Sequence, residues 1–446
     1  MQRSAHSAAP SLPGWTCALL ALVLVATPAL ASAQGTDGER FVMTLDLGVE
    51  HSDNPGRFSP RGPDDTVLVP RASFDLDRSG EQWRARGSGF AEYRFSTTGD
   101  FEDELRANLA LRADRSLRPA GLEWTFQNVA SVEPVDLLAS DSPENRQQTN
   151  VFMTGPNWQL RPGAPTRAVI DARYVNSWAE DNDEFDSDRL QFSTRVLRQI
   201  AERREAWLGA ELAEVRYRDD IAVIEDYRRY DLLAGLSAGT DLFTLDLSGG
   251  YTRIDPTPGA RLSEPVARLA MAWEPDRTRR VRLLAFHELT DSVRQLSAGI
   301  DRLDLPVATV GRLPVNSQIF ELSSVELGWD DRVGRVNWSL TPFVRDYGYP
   351  LDPAQDFTEL GADARAFWRI TPSMTLQAGL GSYRRRFDNV ERRDTDLRAS
   401  LFLVRRFNPR WSGRIGGMRY QRDSNIASAD SRENIIAVQV TFHGGR

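Results

Sequence analysis

The chain has 446 residues, 55 of them basic and all of these arginine, against 63 acids, for a formal net charge of −8. An acidic chain with no basic stripe does not suit nucleic acid, whose phosphates call for a surplus of cationic side chains. Mean hydropathy is −0.44, and only one long apolar run is present, at the N-terminus. This excludes a bundle of membrane-spanning helices but not a β-barrel, in which only alternate residues must be apolar.

In chain order, Arg3 precedes an apolar run over residues 15–30 that ends in Ala31-Ser32-Ala33. That is the pattern of a secretory signal with an A-x-A cleavage site. Its uninterrupted core, residues 18–26, is far shorter than a membrane-spanning helix of about 20 residues, and Pro28 follows soon after. The expected division is a signal peptide over 1–33 and one β-domain over 34–446. The single cysteine, Cys17, lies in the segment to be removed with the apolar core still ahead of it, which argues against a lipoprotein anchor. The mature chain would then carry no thiol, disulfide or cysteine-based metal site.

Beyond residue 40 the pattern alternates. Phe41, Met43, Leu45, Leu47 and Val49 share one face of a first strand. The clearest case follows over residues 83–95, where Trp83, Ala85, Gly87, Gly89, Ala91, Tyr93 and Phe95 oppose Arg84, Arg86, Ser88, Glu92 and Arg94. Such a run is about twice the usual globular strand and matches the 9 to 11 residues or so that cross a bilayer at a tilt. Leu105, Ala107, Leu109, Leu111 and Ala113 repeat it, as do Ala168, Ile170, Ala172 and Tyr174, then residues 243–251, 281–289, 336–344, 362–370, 374–380 and 397–403. A 3.6-residue period fits none of these stretches. The last strand carries Ile436, Val438, Val440 and Phe442, four residues short of the end. Barrel-assembly machinery is expected to recognise a final aromatic residue, and the overhang His443-Gly444-Gly445-Arg446 after Phe442 departs from the usual terminal position.

Connections supply a second signal. Short turns fall near residues 77–80, 115–120, 161–163, 199–204, 239–241, 275–277, 330–331, 371–372 and 408–409. Longer polar stretches fall near 54–65, 96–102, 133–149, 179–187, 219–227, 254–262, 290–316, 347–356, 386–394 and 422–431. Short periplasmic turns alternating with long extracellular loops are the signature of bacterial outer-membrane barrels. The tally predicts an all-β, transmembrane, antiparallel up-and-down barrel of about 20 strands, with 16 or 18 as the fallback because Gly155 and Pro156 interrupt residues 150–159. Its surroundings would be the lipid and lipopolysaccharide of a Gram-negative outer membrane. A soluble periplasmic β-protein is the alternative and would need shorter strands and a closed core.

Arginines crowd the short turns and acids the long loops, most densely Glu180, Asp181, Asp183, Glu184, Asp186 and Asp188. Clustered carboxylates suit Ca²⁺, but the run lacks the glycine and terminal glutamate of a calcium loop, so a solvated loop is the preferred reading.

The segments Ser52-Asp53-Asn54-Pro55-Gly56-Arg57-Phe58-Ser59-Pro60, Gly155-Pro156-Asn157-Trp158 and Ala172-Arg173-Tyr174 resemble outer-membrane barrels associated with exosortase and PEP-CTERM exopolysaccharide loci, which are grouped with porin-like barrels. The resemblance implies a role near polysaccharide export, with export components as partners.

For catalysis the mature chain offers only His51, His287 and His443, with no H-E-x-x-H, G-x-S-x-G or P-loop spacing. No enzyme, cofactor or metal is expected. Candidate lumen-lining residues are Arg84, Arg86, Glu92, Arg94, Arg106, Arg173, Arg280, Arg282, Glu288, Arg335 and Arg345. An arginine-rich wall would favour anions, whereas paired charges would only solvate the interior. The longest loop, residues 290–316, is a candidate to fold inward, with Arg294, Asp301, Arg302, Asp304 and Arg312 available to line a constriction. The first strand begins soon after the cleavage site, leaving no room for an N-terminal plug. The functional expectation is passive passage of small polar solutes or polysaccharide-related material, with a non-conducting structural component of an export locus as the alternative.

Overall fold

The computed structural model describes residues 40–118, 121–140, 142–218, 226–257, 259–301 and 315–444. The signal segment and the loop positions Arg302, Asp304 and Arg312 lie outside them. Twenty strands are present: β1 (Arg40–Ser52), β2 (Asp65–Ser79), β3 (Trp83–Ser96), β4 (Glu104–Arg118), β5 (Leu122–Pro134), β6 (Arg146–Leu160), β7 (Thr166–Ala179), β8 (Ser187–Ala201), β9 (Arg204–Tyr217), β10 (Tyr227–Gly239), β11 (Phe243–Pro256), β12 (Leu262–Trp273), β13 (Arg279–Asp291), β14 (Ile319–Val333), β15 (Val336–Gly348), β16 (Phe357–Thr371), β17 (Met374–Phe387), β18 (Arg392–Arg406), β19 (Trp411–Ser424) and β20 (Ser431–Gly444). Each pairs antiparallel with the next, and β20 closes onto β1 from Met43↔Gly444 to Ser52↔Ile435. The barrel is closed and has no terminal edge strands, the only β-architecture whose backbone is satisfied inside a bilayer.

Alternation places each residue. Leu190, Leu232 and Ile436 point outward and are 64%, 59% and 65% exposed, an exposure of large apolar side chains that water would not tolerate over a whole surface and a bilayer would. At the short-turn end the outer face carries Trp83, Trp158, Trp273, Trp329, Trp368 and Trp411, each 40–47% exposed. Trp329 contacts Trp338 and Trp411 contacts Phe442, both at 5.2 Å. This is an aromatic girdle marking the periplasmic interface. Strands of 12 to 15 residues exceed what the hydrocarbon needs, so their far ends rise beyond it on the long-loop side.

Glycine serves the tightest turn: Val333 pairs with Val336, and Gly334 between them has φ +59°, the left-handed backbone a two-residue hairpin demands. The segment that Gly155 and Pro156 should weaken is part of an unbroken β6. Its ladder to β7 skips from Thr154↔Tyr174 to Asn157↔Asp171. There Arg173 Nη1 donates to the carbonyls of Gly155 (2.9 Å) and Pro156 (3.1 Å), supplying donors the ladder lacks. His51 falls inside β1.

Candidate functional site

The interior is the candidate site, and its long-loop half is occupied. β13 and β14 pair over their full length, from Arg279↔Asp331 to Asp291↔Ile319. β13 pairs with β12 only from Ala267↔His287 to Trp273↔Val281, so above His287 the hairpin leaves the wall. Leu289 and Ile319 share the outward parity of Val281 and Val325, yet they are buried against Val215, Tyr227 and Ile254 on the inner face of β9–β11. The hairpin tip therefore sits inside the barrel.

Polar anchors hold it there. Arg189 Nη1 donates to Asp291 Oδ1 at 2.8 Å, and the Tyr227 hydroxyl donates to Asp291 Oδ2 at 2.8 Å. Arg229 Nη1 donates to the Leu289 carbonyl at 2.7 Å. The same Asp291 carboxylate accepts the backbone amides of Val293 (3.0 Å) and Arg294 (3.1 Å), capping a helix, α1 (Ser292–Asp301), that opens the loop. The 290–316 segment is thus not an unstructured connector at its start. Arg294 reaches Glu211 at 2.6 Å and Asp231 at 3.5 Å, and Gln295 donates to Glu288. Asp301 ends the helix.

α1 crosses to the facing wall and packs on β4, β5 and β6. Val293 and Leu296 join an apolar cluster with Val129, Val151, Met153, Phe320, Leu322 and Tyr347. The β5–β6 loop folds in as well: Arg392 donates to the Leu138 carbonyl (2.5 Å) and Arg422 to that of Ala139 (2.8 Å). Behind α1 the β4–β5 ladder runs only from Leu109↔Ala130 to Arg118↔Leu122. Above it, the Gln148 side chain takes the place of a strand: its amide donates to the Ala107 and Ser131 carbonyls at 3.0 and 2.9 Å and accepts the Ala107 N–H at 2.9 Å.

The inner face of the wall is polar, and its arginines are paired. Arg84 meets Glu123 (2.7 Å), Arg86 Asp77 (3.9 Å), Arg94 Glu50 (2.7 Å) and Arg106 Glu104. Arg173 meets Asp171 (2.7 Å), Arg280 Glu274 (2.6 Å) and Arg282 Asp330 (2.7 Å), while Arg345 lies 3.4 Å from both Glu326 and Glu359. Glu92 stands between Arg71, Arg94 and Arg106 at 3.6–3.8 Å. Register puts all these candidates on the inner face except Arg335, which occupies the β14–β15 turn and donates to the Ile370 carbonyl at 3.2 Å. The wall is not a bare cationic track, because an acid on the same or a nearby strand stands beside each candidate arginine of the inner face.

The histidines lie apart. His51 contacts Thr66 (3.0 Å), His287 contacts Ser323 (2.8 Å) and His443 contacts Ser412 (2.9 Å). In the acidic loop, burial pushes the Asp186 carboxyl above its ordinary range despite the Ala179 amide it accepts, and Asp188 binds Arg218 at 2.9 Å.

No protein-family model matches the sequence, and no curated protein does. Solved structures match in shape. A double mutant of the ferric enterobactin receptor PfeA of Pseudomonas aeruginosa aligns with TM-score 0.50 and 11% identity, over 91% of this chain and 81% of that one. The siderophore receptor PirA of the same organism gives 0.48 and 13% over 92% and 81%, and the FrpB iron transporter of Neisseria meningitidis gives 0.46 and 9% over 92% and 83%. At such identities the likeness is one of fold. Closure, girdle and loop asymmetry make this chain a transmembrane β-barrel of the outer-membrane kind.

Proposed function

We propose that the chain is an outer-membrane transport barrel whose axial path is closed at rest by its own β13–β14 tip and α1, a gated conduit and not a permanently open porin. The observation that carries this reading is the docking of Asp291 on Arg189 and Tyr227 inside the barrel. Passive passage of small polar solutes is then what the barrel does once the tip undocks. On the resemblance drawn from sequence, the cargo is polysaccharide-related and the partners are export components of an exopolysaccharide locus, with the barrel-assembly machinery inserting the chain among outer-membrane lipid and lipopolysaccharide.

The test is planar-bilayer conductance of the refolded protein and of a variant in which residues 292–316 are replaced by a short glycine linker. A quiet parent and a conducting variant support the gate. A parent with large steady conductance removes it. If both are silent, the same filled interior favours the second reading, a non-conducting structural component.

A further inference from the structure

The hairpin that fills the interior leaves a gap in the wall. Residues 262–266 of β12 pair with β11 but find no ladder partner on β13, whose register stops at Ala267↔His287. A tilted strand climbs about 2.5 Å along the barrel axis per residue. Ala267 therefore stands about 15 Å above Trp273 of the girdle, within an apolar band about 25 Å tall. The parted seam lies at the level of the outer leaflet. Lipid tails cannot satisfy an open sheet edge, and Pro265 within this stretch is the residue that edges accept because it has no N–H to donate.

The surfaces on either side of the gap are both apolar. On the lipid side, just below the gap, is a mainly apolar groove of about 350 Å³ lined by Leu269, Ala285 and Val325, with the hydrogen-bonded His287, Ser323 and Asp346 also bordering it. On the inner side lie Ile254, Leu289 and Ile319, with Leu262 packed against them. The facing β4–β5 seam is splinted by the Gln148 amide.

We propose that the β12–β13 seam is a lateral portal, and that its occupant is an acyl chain of an outer-leaflet lipid or lipid-like amphiphile, passing from the groove through the seam and parting the apolar contact between wall and tip. The proposal rests on the barrel's place in the membrane but not on whether the axial path conducts, so conductance and lipid access can fail separately.

In a Cys17→Ser background, single cysteines at Leu269 (groove), Ile254 (behind the seam) and Ser400 (inner face of β18) are labelled with a small fluorophore. Each protein is reconstituted in phosphatidylcholine vesicles with brominated acyl chains, which quench on contact. The expected result is strong quenching at Leu269→Cys, at least half as much at Ile254→Cys and none at Ser400→Cys. Ile254→Cys behaving like Ser400→Cys overturns the portal. Because a label at a fully buried position can disturb folding, a second measurement uses cysteine pairs. Leu269→Cys with Ala285→Cys, partners in the ladder, should cross-link under mild oxidant. Val266→Cys with Glu288→Cys, which would face each other if the ladder continued, should cross-link several-fold less. Equal cross-linking of both pairs shows a zipped seam and overturns the proposal.

Discussion

Asp291 is the residue on which the closed state turns. It is 2% exposed and serves Arg189, Tyr227 and the first amides of α1 at once. Asp291→Ala leaves the Arg189 guanidinium buried without its acid, a loss of about 3–5 kcal/mol for a broken buried pair. The expected outcome is a tip that undocks, read as faster proteolysis within residues 292–316 while the barrel keeps its heat-modifiable gel mobility. Gln148→Leu has a different effect, since it strands the Ala107 N–H and carbonyl at the β4–β5 seam. With an unsatisfied buried polar group costing about 1–3 kcal/mol, the barrel should lose gel mobility at a lower temperature with no change in loop proteolysis. At the mouth, burial would raise the Asp53 carboxyl, but the Asn434 amides at 2.7 and 2.8 Å and the Arg61 charge outweigh it and hold the group below its ordinary range. A depressed carboxylate stabilises above its unfolded pKa and loses that contribution as pH falls through the folded value. Acid should therefore loosen the β1–β2 loop from β20, seen as faster amide exchange at Asn434, and Asp53→Asn should remove the pH dependence.

At the scale of elements, α1 combines a polar anchor with an apolar face. Leu296 is 3% exposed within the interior cluster, and Leu296→Glu places a carboxylate there with no partner. The expected outcome is a helix that leaves the facing wall and a conductance approaching that of the loop-replaced variant; an unchanged quiet barrel would show that the helix does not gate. The sequence displayed the strands and their alternating short and long connections because a wall between lipid and water enforces a two-residue period on every strand. It did not display the inward bend of β13–β14. Leu289 and Ile319 continue the apolar parity of Val281 and Val325, and apolar side chains read alike whether they meet lipid or a neighbouring inner wall. Asp291 and Glu321 on the outward parity do not break this ambiguity, because Asp346 stands on the same face of the neighbouring β15; the signal that does is Pro265, which marks the edge from which the hairpin departs.

For the whole molecule, the arginine count and the net charge point to different lumens, and pairing decides between them. Arginine is the sole basic residue, so the wall looks cationic in sequence. Yet each candidate arginine on the inner face has an acid within 4 Å on its own or a nearby strand, and the acids outnumber the bases over the chain. Paired charges at such separations present little field beyond the Debye length, about 8 Å at physiological salt, so an unplugged barrel should discriminate weakly between anions and cations. Glu92 is the most direct place to test this. It offsets Arg71, Arg94 and Arg106 together at 3.6–3.8 Å, and Glu92→Gln removes one negative charge while keeping the shape of the wall. In the loop-replaced variant, the reversal potential across a potassium chloride gradient should lie near zero with Glu92 present and shift toward chloride with Glu92→Gln, the shift shrinking as salt rises. A parent already strongly selective for chloride would mean that the pairs do not neutralise the wall and that its arginines act on solutes directly.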